Sequence, residues 1–195
     1  MKKINGNKGN FKLAVMVIVA VGLLTGCAYT TKDLNEQSVL AINWVQTSAE
    51  YRAISYQTYN LARLNLDNFL ATYAGSKPVA VIADVDETIT DNSVYQAWLV
   101  GQDFGYSSKT WGPWIAANLA EAVPGAVEFF NYAKAKGVET FYVTNIKMDF
   151  AEGAKKKLKA LGLPFVDEKH LLFRINTSDK QPRREIGRAS CRERV

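Results

Sequence analysis

The sequence predicts an α/β fold built on a parallel sheet, with a helical N-terminal segment and a small helical cap. Three observations predict it. Strand-like stretches recur at 79–83, an unbroken apolar run, and at 138–143 and 170–174, helical patterns separate them, and acidic, hydroxyl and amide residues follow the first two. Parallel sheets place their sites at such strand ends. The 195 residues suffice for one main domain, and 48% hydrophobic with 22% charged is ordinary globular composition.

Taken in order, residues 1–26 read as a signal peptide. Lys2, Lys3, Lys8 and Lys12 precede the apolar run "LAVMVIVAVGLL" (13–24), which is too short to span a bilayer comfortably. The run ends in "LTGC" (24–27), which resembles the bacterial lipobox, and that resemblance makes Cys27 the lipidated first residue of the mature chain. Ala28 follows it, and in a Gram-negative host the rule for such lipoproteins sends the protein to the outer membrane. The expected location is the bacterial cell envelope. The formal charge of +5 belongs to the two ends: without residues 1–26 and 186–195 the chain carries 17 basic against 18 acidic residues. A balanced middle offers no electrostatic footprint for a nucleic-acid polymer.

Residues 27–77 are expected to hold the anchor and a helical segment. Leu34, Val39, Leu40, Ile42, Trp44, Val45 and later apolar residues to Leu70 recur mostly at three- and four-residue spacings, with no Pro or Gly from 31 to 74. This is one or two helices. "GSKP" (75–78) breaks the pattern, and "VAVIA" (79–83) is the continuous run of a strand buried on both faces. Residues 92–120 read as short aromatic helices. "PGAVEFFNYAKAKG" (124–137) is a helix with Pro124 near its first turn and Gly137 past its end. After the strand at 138–143, Asp149 is placed to cap a helix that Gly162 closes. The strand at 170–174 follows, with His170, the one histidine, expected to be structural.

The chemistry concentrates in "VIADVDETITDN" (81–92). In an extended segment Asp84 and Asp86 face one side, and two such charges are costly unless a cation or shared proton relieves them. Mg²⁺, which takes carboxylate, carbonyl and water oxygens, is the natural neutraliser. Standing alone, the pair reads equally as a turn or a helix cap. It does not stand alone. "DVDET" (84–88), with "DN" (91–92) behind it, resembles the DxDxT signature of the haloacid dehalogenase-like phosphohydrolases, in the version of the class C, lipoprotein e-type acid phosphatases and 5′-nucleotidases. "FYVTN" (141–145) and "DKQPRR" (179–184) resemble that family's second and third motifs in the right order.

The resemblance implies a Rossmannoid sheet and a defined division of labour. Asp84 would be the nucleophile that forms an aspartyl-phosphate, and Asp86 the acid and base. Thr144, Asn145 and Lys180 would bind the phosphoryl oxygens. Mg²⁺ would be held by the Asp84 side chain and the Asp86 backbone carbonyl. The insertion at about 92–120 would be the substrate-selecting cap, with Tyr95, Trp98, Trp111 and Trp114 as candidates to stack on a nucleobase, although such aromatics also build cores. The implied protein is an exported, lipid-anchored, Mg²⁺-dependent acid phosphatase of phosphomonoesters, nucleoside 5′-monophosphates among them; a homo-oligomer is compatible with this. The competing expectation is a catalytically silent surface lipoprotein that binds a ligand or partner. The family's last metal-binding motif has no match after Lys180, and "IGRASCRERV" (186–195), which contains Cys191, matches a translated frame of a common sequencing adapter. The core at 78–185 is therefore expected to be incomplete, with different native sequence after about residue 184.

Overall fold

The computed structural model describes residues 29–190. The leader, Cys27 and Cys191 lie outside the described residues, so the signal-peptide and lipidation expectations stay with the sequence. Within 29–190 no helix is long and apolar enough to cross a membrane.

The N-terminal segment forms three helices, α1 (Thr31–Gln37), α2 (Val39–Thr47) and α3 (Ala49–Thr72), where the spacing predicts one or two. Two serines make the difference. The segment turns at Ser38, and Ser48 adopts an extended conformation (φ −79°, ψ 140°) and accepts the Tyr51 N–H to start α3. Apolar periodicity runs through both serines and hides the breaks. Upstream, Thr30 and Asp33 cap α1 reciprocally.

The sheet region follows as β1 (Ala80–Ala83), β2 (Thr90–Asp91), α4 (Ser93–Leu99), α5 (Ser108–Ala117), β3 (Glu121–Ala122), α6 (Ala126–Ala135), β4 (Glu139–Lys147), a 3₁₀ turn (Met148–Phe150), α7 (Ala151–Ala160), β5 (Leu171–Arg174) and α8 (Gln181–Ser190). Strands β1, β4 and β5 form a parallel sheet in the order β1-β4-β5, with Ala83 beside Tyr142 and Tyr142 beside Leu171. Between β1 and β4 the chain inserts α4 and α5, and the antiparallel pair β2–β3 ties the two ends of that insertion together.

One face of the sheet carries the main core. Leu66 of α3, Phe129 and Phe130 of α6, Leu158 of α7 and Tyr142 of β4 meet in a single buried cluster. Each large side chain buried there contributes about 1.5–3 kcal/mol. On the other face a small cluster joins Ala80 and Phe141, with Ile82 and Leu172 packed against it. The expectation that β1 is buried on both faces is corrected here: past Ala80 it is half-buried, and β4 is its strand partner among the described residues. A run of apolar residues records what a strand prefers to touch, not how many neighbours it has.

Three further local expectations change. Asp149 does not cap a helix; it sits inside the 3₁₀ turn, and Phe150 takes the cap position of α7 without a side-chain bond. Strand β4 runs on through Lys147, so Thr144 and Asn145 belong to the strand itself. Gly125, not Pro124, opens α6, at φ 88° where a side chain would be strained. His170 is buried at the amino end of β5, with Nδ1 2.7 Å from Asp167 Oδ1 and Nε2 3.3 Å from Glu139 Oε2. That cluster lies at the end of the sheet away from the acids.

Candidate active site

Asp84 is the first residue beyond β1, and residues 84–90 fold back on themselves. The backbone N–H groups of Thr88, Ile89 and Thr90 converge on the Val85 carbonyl at 3.3, 2.8 and 3.0 Å, and the Thr90 hydroxyl joins them at 3.2 Å. Val85 and Ile89 are buried in the main core and anchor the turn from below. The acids are thereby carried on a self-braced loop. Glu87, at φ 56°, is one of three non-glycine residues with a left-handed backbone among those described, a strain that only over-determined surroundings sustain.

Asp84 is engaged on both oxygens. Its Oδ1 accepts the Val85 N–H at 2.7 Å, and its Oδ2 lies 2.6 Å from Lys180 Nζ. Asp86 is more deeply set, and its Oδ1 accepts from Asn92 Nδ2 at 3.2 Å. Burial pushes its carboxyl up to about 6, helped by the Asp84 charge and opposed by Asn92, Lys180 and the Thr144 hydroxyl. Glu87 is also raised, first by burial, and its Oε1 accepts from Asn92 at 3.1 Å. One carboxylate stays paired with a cation while its neighbour is tuned to carry a proton near neutral pH.

Strand β4 brings the second group. Thr144 is fully buried, and its hydroxyl accepts the Ile146 N–H at 3.0 Å. Asn145 turns its Oδ1 to Arg183 Nη2 at 2.8 Å. The same guanidinium donates to the Thr144 carbonyl and, at 3.0 Å, to the Asp179 carbonyl. Arg183 thus bolts the segment that carries Lys180 onto the end of β4. Sequence reasoning assigned Arg183 no role, because only the fold shows that it reaches back to 144–145. It likewise gave none to Asn92, although the "DN" pair was the signal.

The four aromatic candidates divide. Tyr95, Trp111 and Trp114 are 1%, 6% and 9% exposed and form their own small core. Tyr95 and Trp111 meet edge to face with centroids 4.9 Å apart. Trp114 points its indole N–H at Asn92 Oδ1, 2.9 Å away. Trp98 is 50% exposed and so offers an open ring.

Asp84 and Asp86 present hard oxygen donors of the kind Mg²⁺ takes one or two of, leaving water and a substrate phosphate to complete its octahedron. Their chemistry fits that ion. Among the described residues, no group of three or more His, Cys, Asp or Glu side chains is placed to hold a metal.

Comparison with known proteins agrees with this arrangement. The family described as HAD superfamily, subfamily IIIB (Acid phosphatase) matches residues 20–189. The chain is also similar to the class C acid phosphatase from Bacillus anthracis with tungstate bound, at 36% identity and a TM-score of 0.77, covering 81% of this chain and 66% of that one. A second structure of the Bacillus anthracis class C acid phosphatase gives 37% identity, a TM-score of 0.76 and the same coverage. The chain therefore spans 66% of the length of these solved relatives.

Proposed function

The chain belongs to subfamily IIIB of the HAD superfamily, the acid phosphatases, and from that premise we propose that the whole protein hydrolyses phosphomonoesters through an aspartyl-phosphate. An Asp84 carboxylate oxygen attacks phosphorus while the bond from phosphorus to the ester oxygen breaks. Asp86 gives its proton to that departing oxygen. Water then attacks the phosphorus of the aspartyl-phosphate, loses a proton to Asp86 and releases phosphate, which restores both carboxyl groups.

The observation that carries this reading is the 2.6 Å approach of Lys180 to Asp84. Motifs from three separate parts of the sequence meet at one strand end, and the cation sits where a transferring phosphoryl group would build up negative charge. The buried carboxyl of Asp86, pushed up to about 6, suits a group that must first give and then take a proton. The relative solved with tungstate lends support, since tungstate is a tetrahedral oxyanion like phosphate. Mg²⁺, held by the Asp84 side chain and the Asp86 backbone carbonyl, would supply charge neutralisation at the phosphoryl oxygens.

Nucleoside 5′-monophosphates are the proposed substrates, with the open ring of Trp98 as the surface for a base. The leader and Cys27 support attachment to the cell envelope through lipid. The test is turnover of para-nitrophenyl phosphate by the full-length protein with Mg²⁺ and after chelation, beside an Asp84→Asn variant. Wild-type hydrolysis that chelation and the substitution both abolish is expected; undiminished hydrolysis by Asp84→Asn ends the reading.

A further inference from the structure

A hydrogen-bonded line crosses from the helical insertion to the acids. The Trp114 indole N–H donates to Asn92 Oδ1 at 2.9 Å, and the Asn92 amide nitrogen donates to Asp86 Oδ1 at 3.2 Å and to Glu87 Oε1 at 3.1 Å. Asn92 is 1% exposed and sits at the start of α4, so every polar atom of its side chain is used inside the protein. The orientation of the amide is fixed by chemistry. An indole N–H can only donate, and an ionised carboxylate can only accept. Turning the amide over would press its oxygen against two carboxylates and its NH₂ against the indole N–H, losing all three bonds.

With Oδ1 of Asp86 held by Asn92 and the Thr144 hydroxyl also against this carboxyl, its orientation toward a leaving group is set by the protein. We propose that Asn92 is a positioning residue for Asp86, and that Trp114, a member of the insertion's aromatic core, holds Asn92 in its working orientation. The inference rests on the phosphatase reading, and it makes the insertion part of the support for proton transfer. Asn92 acts through Asp86 and not on the substrate.

Two phosphomonoesters separate this role from a merely structural one. An alkyl phosphate has a poor leaving oxygen that needs Asp86's proton, whereas the para-nitrophenoxide of para-nitrophenyl phosphate leaves with little help. Asn92→Ala is expected to lower kcat/KM, which reports the transfer to Asp84 and not the later hydrolysis of the aspartyl-phosphate, by about 100-fold on the alkyl ester and by no more than about tenfold on the aryl ester. Trp114→Phe, which keeps a ring and drops the N–H, should show the same substrate bias, and the double variant should be no worse than Asn92→Ala alone. Equal losses on the two esters, or strictly additive losses, overturn the proposal. If Asn92→Ala fails to fold, Trp114→Phe carries the comparison. If the wild type hydrolyses neither ester, the phosphatase reading fails and an NMR measurement decides the inference separately. Asp86→Asn should shift both the Asn92 side-chain amide and the Trp114 indole N–H signals; an unmoved Trp114 signal overturns the line.

Discussion

The Lys180 ammonium lies 2.6 Å from Oδ2 of Asp84, joining the residue that follows β1 to the segment just ahead of α8. Lys180 is 17% exposed at its side chain and Asp84 42%, so the pair sits at the mouth of the site, where water still reaches the carboxylate. A contact of that kind adds little to stability and much to the local potential.

Lys180→Met, which keeps the stem and removes the charge, is therefore expected to lower kcat/KM for a phosphomonoester by about 10²- to 10³-fold. The same change should alter unfolding free energy by less than about 1 kcal/mol. Lys180→Arg should recover part of the rate. Steady-state kinetics beside urea denaturation check both halves, and a large stability loss with an intact rate would reverse the assignment.

Asp86 makes the opposite prediction, an effect on stability that depends on pH. Its folded carboxyl stands at about 6 against an ordinary 3.8, raised first by burial. Below the ordinary value both states hold the proton and nothing is lost. As pH rises from there the unfolded chain ionises first, so the native state loses stability until the folded carboxyl ionises too. Asp86→Asn removes the liability. In the presence of a chelator the variant should be more stable than wild type by about 1–3 kcal/mol near pH 8, and by close to nothing near pH 3.5. Urea unfolding at the two pH values measures the difference.

Gly153 tests the seat of the insertion. It lies in α7, and a Cβ there would meet Ile115 Cγ2 of α5 at 2.7 Å and the Ile115 carbonyl oxygen at 3.3 Å. Alanine is worth about 1 kcal/mol more than glycine inside a helix. Overpacking costs about 1–3 kcal/mol. The clash should win, so Gly153→Ala is expected to be destabilising by about 1 kcal/mol, and Ile115→Ala in the same chain should restore the helix-propensity gain. Thermal unfolding of Gly153→Ala, Ile115→Ala and the double variant checks the sign.

The large elements were legible because their signals are physical and local. Strand β1 appears where the sequence offers an unbroken apolar run and β4 and β5 where it offers short apolar-rich stretches, and Gly137 and Gly162, at φ 76° and 81°, end α6 and α7 as their positions suggest. The breaks at Ser38 and Ser48 were not legible, since a serine that caps a helix looks the same in sequence as one riding on its surface. Strands β2 and β3 are too short to leave a pattern. At the site, Asp84, Asp86, Thr144, Asn145 and Lys180 were named from motifs. Asn92 and Arg183 were given no role, because each acts through partners that only the fold brings near.

The turn that carries the acids hangs from a single peptide plane. With three N–H groups and a hydroxyl gathered on the Val85 carbonyl, that peptide cannot rotate without releasing all of them together. Turning that peptide over costs four hydrogen bonds at once. On the proposed phosphatase reading, room for substrates of different size is expected from other parts of the chain, the outer surface around Trp98 or the 175–180 segment.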